Sequence, residues 1–293
     1  MSRFLHTAEE AIYIFQRAAE ANNMTPSRSG NVLRLGPQNA GDVLLTGDLH
    51  GHEGNYNSII QKSALDAHPN RHLVFQEICH GGVQLPDGGG CCSHRMLTEV
   101  AAMKVQYPDR VHHIMSNHEL AELTKYPIQK NRQMLNIAFE NGLKHDYGIL
   151  FESVRVAMLN YLETCPLALM ISDHIFFSHS IPDQLDQRDR PFDETIFYRT
   201  LDPGSDLIRD GSVYRLVWGR DYRQVNADIF AKMVGAEILI CGHEPCMDGF
   251  KFPNSRQVII DCSANRAHCM LIPTTDRLTQ WNYRTYVMPI SGK

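Results

Sequence analysis

At 293 residues, with 43% hydrophobic and 21% charged residues, the chain has ordinary globular composition and room for one large core or two modest ones. Its formal net charge of −5 comes without a long run of either sign, which argues against a nucleic-acid backbone as main partner. No stretch reaches the roughly 18 apolar residues of a membrane span, and the start carries acids at Glu9 and Glu10 without an uninterrupted apolar core, unlike a signal peptide.

Thr7 and Glu10 form a capping-box pattern, and Ala11, Ile14, Phe15 and Ala18 recur at helical spacing behind them, so residues 8–22 read as an amphipathic helix. Residues 25–31 read as a polar loop. Strand and helix then alternate: strand 43–46, helix 57–67, strand 72–76, helix 93–106, strand 111–115, then helical stretches near 118–125, 129–145 and 150–162. Beyond Leu167 the texture changes. Strands 167–171 and 174–178 flank the turn signal Ser172-Asp173, residues 182–212 are mostly loop with a helical turn near 194–199, and 227–234 is helical. Strands follow at 237–241, 257–261, 268–272 and 283–287. An alternating first half and a strand-rich second half predict two sheets packed face to face with helices outside, in a single domain over 1–293 whose first 40 residues are a lead-in.

The eight cysteines show no CxxC pair and mostly sit in apolar strands, as reduced buried thiols do, which fits a cytoplasmic location. Cys91-Cys92 in a Gly-rich loop is the one pair expected to be exposed, as a redox or adventitious metal position.

Metal-binding side chains cluster where these strands end. Asp48 and His50 follow the strand 43–46, and the flanking Gly47 and Gly51 give the backbone room for a tight turn. Gln76-Glu77 ends the next strand, Asn117-His118-Glu119 the third, and His179 and His243 end two later ones. Taken singly, Asp48 could cap a helix, Asn117 could be an N-cap, and each histidine could be a surface residue. Together they form the Asp, Glu, Asn and His donor set of a two-metal hydrolytic centre.

The order of these blocks resembles the calcineurin-like metallophosphoesterases, and within them the phosphoprotein phosphatases acting on Ser/Thr, over about residues 43–272. GDLHG at 47–51 is similar to the family's GDxHG, SNHE at 116–119 to GNHE, FSHSIPD at 177–183 to HGGLSP, and Leu216-Val217-Trp218 to LLW. ICGHEPCMDGFKF with RQVIIDCSANRAHCM resembles the closing stretch RAHQ…DGY…FSAPNYC. The resemblance implies an α/β fold with a two-sheet central β-sandwich flanked by helices, in four layers αββα. It also implies two metal ions of Mn, Fe or Zn type. One would be held by Asp48, His50 and His243 or its neighbour, the other by Asn117, His179 and His243, with one carboxylate shared between them.

That carboxylate is where the chain departs. The family's GDxVDRG aligns with residues 76–82, so Glu77 replaces the bridging Asp, His80 the Asp that orients the catalytic His, and Gly81 a phosphate-clamping Arg. Met115 replaces a second Arg. Bidentate phosphate recognition is thereby lost. Arg223 is the first candidate substitute, with Arg220 and Arg95 behind it, and His80 is a further substrate-side candidate. The implied mechanism is attack on phosphorus by a metal-bridging hydroxide, with His118 as general acid oriented by Glu119 or a backbone carbonyl. The implied substrate is a phosphorylated protein or small phosphomonoester. The alternatives are a phosphodiesterase or dinucleotide hydrolase, which would meet less charge, and a metal-binding pseudoenzyme that recognises a phosphorylated partner. The glycines of 81–90 suggest a mobile gating loop.

Overall fold

The computed structural model describes residues 5–130 and 132–291. In chain order the elements are α1 (Ala8–Met24), β1 (Arg28–Ser29), β2 (Val32–Leu35), β3 (Asp42–Asp48), α2 (Glu53–Ser63), β4 (Arg71–Gln76), α3 (Ser93–Gln106) and β5 (Val111–His113). Next come α4 (Asn117–Thr124), the small hairpin β6 (Gln129–Lys130) and β7 (Gln133–Met134), α5 (Leu135–Tyr147), α6 (Phe151–Glu163), β8 (Ala168–Ile171) and β9 (Ile175–Ser178). The last third holds α7 (Ser212–Trp218), α8 (Gln224–Val234), β10 (Ile238–Cys241), β11 (Phe250–Lys251), β12 (Gln257–Ile260), β13 (His268–Pro273) and β14 (Val287–Pro289).

The strands form a seven-stranded sheet in the order β1-β2-β8-β9-β10-β12-β11 and a five-stranded sheet in the order β14-β13-β3-β4-β5. Within the first, β9, β10 and β12 run parallel; within the second, β3, β4 and β5 do. Side-chain alternation explains why the sequence reads as continuous apolar runs. Val43, Leu45 and Val74 join Leu169, Phe177, Ile240 and Val258 in a core between the sheets. Their neighbours Leu44, Leu73, Phe75, Leu239 and Ile259 face outward into a second core covered by helices. Both faces of each sheet are thus buried, and each such side chain contributes about 1.5–3 kcal/mol of transfer free energy. This is the expected two-sheet sandwich with helices outside.

The capping box at Thr7 and Glu10 is formed as expected: Thr7 Oγ1 accepts from the Glu10 N–H and Glu10 accepts from the Thr7 N–H. The Ser172-Asp173 turn has positive φ at both residues, which joins β8 to β9 as an antiparallel hairpin. Several expectations are corrected. Residues 28–29, expected as loop, are a strand that pairs with β2 and so extends the edge of the first sheet beyond β8. Residues 129–130 and 133–134 pair as antiparallel strands, where the start of a helix was expected. Residues 283–286 form a 3-10 turn and strand β14 begins only at Val287. Ser212–Trp218, expected in part as loop, is the helix α7.

Candidate active site

The donor residues gather where strand ends from both sheets meet. Gly47 lies at a register shift of β3 against β4, and beside it Asp48 bridges Asp261 across the two sheets. A Cβ on Gly47 would stand 2.2 Å from the Ile260 carbonyl oxygen, so only glycine lets the strands approach this closely. Four non-glycine residues around the site hold positive φ: His50, Glu77, His80 and His243. Such backbone strain clusters where side chains must be re-aimed off a strand. Neither capping alternative holds: α2 is capped by His52, and α4 has Ser116 at its N-cap, leaving the Asn117 side chain free to face inward.

The convergence is tight. Asn117 Oδ1 lies 2.6 Å from His179 Nε2 and 3.0 Å from His243 Nδ1, and those two nitrogens are 3.1 Å apart. Glu77 Oε2 lies 3.5 Å from His179 Nε2 and 3.7 Å from His50 Nε2, while its Oε1 lies 3.7 Å from His118 Nε2. Asp48 Oδ1 is 3.8 Å from His179 Nδ1 and accepts the His243 backbone N–H. Two groups of ligand atoms therefore share one carboxylate: His50, Glu77 and His118 on one side, Glu77, His179 and His243 on the other.

Outer partners fix which nitrogen each histidine presents. Gln76 Nε2 donates to the Thr46 carbonyl, which turns Gln76 Oε1 toward His179 Nδ1 at 2.8 Å. His179 then donates from Nδ1 and keeps the Nε2 lone pair for the site. His50 Nδ1 lies 3.2 Å from the Cys79 carbonyl and does the same. This is the arrangement of histidines that ligate cations through Nε2. Burial pushes Asp48 up to about 7, against its hydrogen bonds with Glu77 and the His243 N–H. Burial, then the Asp48 charge, raises Glu77 well above its ordinary value. Burial lowers His179, His243 and His118. Two desolvated carboxylates in contact, ringed by neutral imidazoles and an amide oxygen, form a donor set that a cation would satisfy. The residues fit the divalent ions that the sequence resemblance implies.

His118 is held from behind. His80 Nδ1 lies 3.0 Å from His118 Nδ1, and His80 Nε2 lies 2.7 Å from Glu122 Oε1. The sequence reading overlooked Glu122, although it sits one helical turn beyond His118 on α4 and so shares its face. Both ring nitrogens of His80 are engaged by protein groups, and its ring also borders the cavity. Glu119 does not orient His118: it accepts from the Ile78 and Cys79 N–H groups at 2.8 and 2.9 Å and from Ser116 Oγ.

The mouth of the site is a cavity of about 420 Å³ lined by His50, His52, His80, His118, Lys130 and Ser263 among others. None of the three arginines expected to contact phosphate lines it. Arg95 is bound bidentately by Asp146 at 2.6 and 2.7 Å. Arg223 is held by Asp186 and Asp221 at the surface. Arg220 comes nearest, with Nε 2.7 Å from Glu244 Oε1 and Nη2 3.3 Å from the His243 carbonyl. Lys130, which the sequence did not single out, is the one Lys or Arg among the described lining residues. The glycine-rich segment is exposed over much of its length, yet it is pinned by Gln133 and Asn141 to the Gly88 and Gly89 carbonyls. Cys91 and Cys92, expected to be exposed, are buried, and all eight cysteines are free thiols.

Residues 41–247 match the profile of the calcineurin-like phosphoesterase family. A probable serine/threonine-protein phosphatase of Encephalitozoon cuniculi is 22% identical over 245 residues, which cover 78% of this chain and 48% of that protein. The chain thus spans about half the length of this curated relative. A protein serine/threonine phosphatase from Saccharomyces cerevisiae superposes with a TM-score of 0.67 at 17% identity, over 91% of this chain and 82% of that one. A cold-active protein-tyrosine phosphatase of a Shewanella species superposes with a TM-score of 0.52 at 12% identity, over 86% of this chain and 78% of that one. At these identities the structural likeness speaks for the fold. No helix among the described residues is long and apolar enough to cross a membrane.

Proposed function

The chain belongs to the calcineurin-like phosphoesterase family, and from that membership we propose a metal-dependent phosphomonoesterase of the Ser/Thr-phosphatase kind, acting on a phosphorylated protein or a small phosphomonoester. The observation that carries this reading is Glu77, whose carboxylate is common to two groups of ligand atoms. One metal would be held by Asp48, His50 and Glu77, the other by Glu77, Asn117, His179 and His243. Bound there, Mn, Fe or Zn ions would supply Lewis-acid polarisation of the phosphoryl oxygens and an activated water.

The chain's own residues do the rest. His50 and His179 present lone pairs whose direction is set by the Cys79 carbonyl and Gln76. His118, beside the cavity, is the group for protonating the leaving oxygen. Lys130 at the cavity wall and Arg220 beside the His243 carbonyl are the cations available to phosphate, in place of the two arginines the family places there. Eight buried free thiols support residence in a reducing cytoplasm.

The absence of arginine from the described lining favours a second reading, a phosphodiesterase, since a diester presents one negative charge fewer. Hydrolysis of a chromogenic phosphomonoester and a matched diester, by protein stripped with chelator and reloaded with Mn, separates the two. We expect monoester turnover that Asp48→Asn abolishes along with metal binding. Diester turnover alone would move the assignment to the second reading. Two bound metals with neither activity would leave a phospho-binding protein.

A further inference from the structure

Behind His118, a run of hydrogen bonds among the described residues ends inside the cavity. It starts at the Ile128 backbone N–H, which donates to Asn136 Oδ1 at 2.9 Å. That bond fixes the Asn136 amide, so Nδ2 donates to Glu122 Oε1, also at 2.9 Å. His80 Nε2 meets the same oxygen at 2.7 Å, and as the partner of a carboxylate oxygen it carries the hydrogen. In neutral His80 the other nitrogen, Nδ1, then has only a lone pair. His118 Nδ1, 3.0 Å away, must be the donor to it. The remaining His118 nitrogen, Nε2, faces Glu77 and the cavity with its lone pair free.

We infer that Glu122, acting through His80, is a positioning residue that fixes His118 with Nδ1 protonated and Nε2 toward the reacting groups. The Ile128 N–H fixes the Asn136 amide, the Glu122 carboxylate takes its hydrogen from His80 Nε2, and with His80 neutral the last bond runs from His118 to His80. This run is also buried: His80 and Glu122 are 3% and 4% exposed, so water does not compete for these contacts. Phe139 packs edge-on against the His80 ring at 5.5 Å and limits its rotation. The relay replaces a direct carboxylate–histidine contact by carboxylate–imidazole–imidazole, which keeps a negative group behind His118 at one ring's remove.

The consequence for the proposed reaction is that Nε2 takes up a proton from solvent and delivers it to the leaving oxygen as the P–O bond breaks. That step rests on the phosphatase reading; the tautomer does not. The experiment has two arms. In the first, ring nitrogens of 15N-histidine-labelled, metal-free protein are observed by long-range 15N–1H correlation, with His118 assigned by its loss in His118→Gln. We expect the Nδ1–H tautomer in the unsubstituted chain and a shift toward Nε2–H in Glu122→Ala and in His80→Phe. An Nε2–H tautomer in the unsubstituted chain, or no change in either variant, overturns the inference.

In the second arm, Mn-loaded Glu122→Ala is assayed on an alkyl phosphate, whose leaving group needs a proton, and on a nitrophenyl phosphate, whose leaving group does not. Loss of general-acid assistance predicts a fall in kcat of roughly 10²-fold or more on the alkyl ester, a much smaller fall on the nitrophenyl ester, and little change in KM. His80→Asp in the Glu122→Ala background, with a carboxylate set directly behind Nδ1, should recover the alkyl-ester rate. Equal losses on both esters would mean a merely structural role. If the unsubstituted chain hydrolyses neither ester, the phosphatase reading fails and the tautomer arm alone decides the positioning role.

Discussion

Gly242 shows how little tolerance the site has at the level of single residues. A Cβ there would lie 2.1 Å from Asp48 Oδ1 and 2.9 Å from Gln76 Nε2. Gly242→Ala should therefore displace Asp48, the carboxylate proposed as a ligand, and Gln76, which orients His179, while the hydrophobic layers stay intact. The expected outcome is a metal affinity reduced at least tenfold by calorimetric titration, with an unchanged far-ultraviolet dichroism spectrum. Unaltered metal binding would show that Asp48 is not a ligand. The arginines carry the complementary lesson. Arg95, Arg220 and Arg223 are equally available in the sequence, yet in the fold Asp146 and the Asp186–Asp221 pair hold Arg95 and Arg223, while Arg220, paired with Glu244, alone of the three also meets the His243 carbonyl. Local sequence names charges but not their partners, and 51 residues separate Arg95 from Asp146.

The helical elements around the site are fastened by a small number of buried polar ties. Asp146, at the end of α5, accepts from His94 Nε2 at 2.8 Å and from Arg95 on α3. Burial alone would raise the Asp146 carboxyl, but its hydrogen bonds with His94, Arg95 and His145 hold it well below the usual carboxylate range. A carboxylate depressed by folding contributes stability that is present above its unfolded value and fades as pH falls. Asp146→Asn removes the charge facing the half-buried Arg95 guanidinium and weakens its hydrogen bonds, so it should cost about 1.5 kcal/mol in urea unfolding near pH 7. The loss should shrink as the pH is lowered below about 4, where the unfolded state of the unsubstituted chain begins to protonate the same group. A variant within about 0.5 kcal/mol of the parent would remove this tie from the account.

Across the whole molecule, the five-stranded sheet carries a second, purely structural histidine pair. His72 on β4 and His112 on β5 stack at 5.4 Å, His72 Nδ1 lies 3.1 Å from His112 Nε2, and His72 Nε2 lies 3.2 Å from the Asn39 carbonyl. Burial pushes His72 down to about 4, with Arg110 and Lys104 acting the same way against the Asn39 carbonyl and Asp109. Burial, then the Lys104 and His72 charges, lowers His112 well below its ordinary value as well. At these two histidines the unfolded chain thus binds more protons than the folded one between about pH 4 and 6.5, so the stability they contribute falls as pH falls through that window. We expect the urea midpoint to drop across this range and the slope to flatten in His72→Gln, by about 2 kcal/mol at its low end. A midpoint independent of pH in the parent would contradict this.

The layered fold was legible because its cause is local and repeated. Apolar runs such as residues 43–46 and 238–241 must bury both faces, and the capping box and the Ser172-Asp173 turn punctuate the chain in ways that distant contacts do not change. The donor types at the strand ends were legible for the same reason, since a motif states which atoms are offered. What tertiary structure decided is where those atoms point and what stands behind them. Glu77 and His243 turn inward on positive φ, Gln76 selects a nitrogen of His179, and Glu122 reaches His118 only through His80, 42 residues away along the chain. Such partners are chosen by packing two sheets and a helix against one another. Neighbouring residues do not encode that choice, so the sequence by itself supplied the donors and the fold supplied their direction.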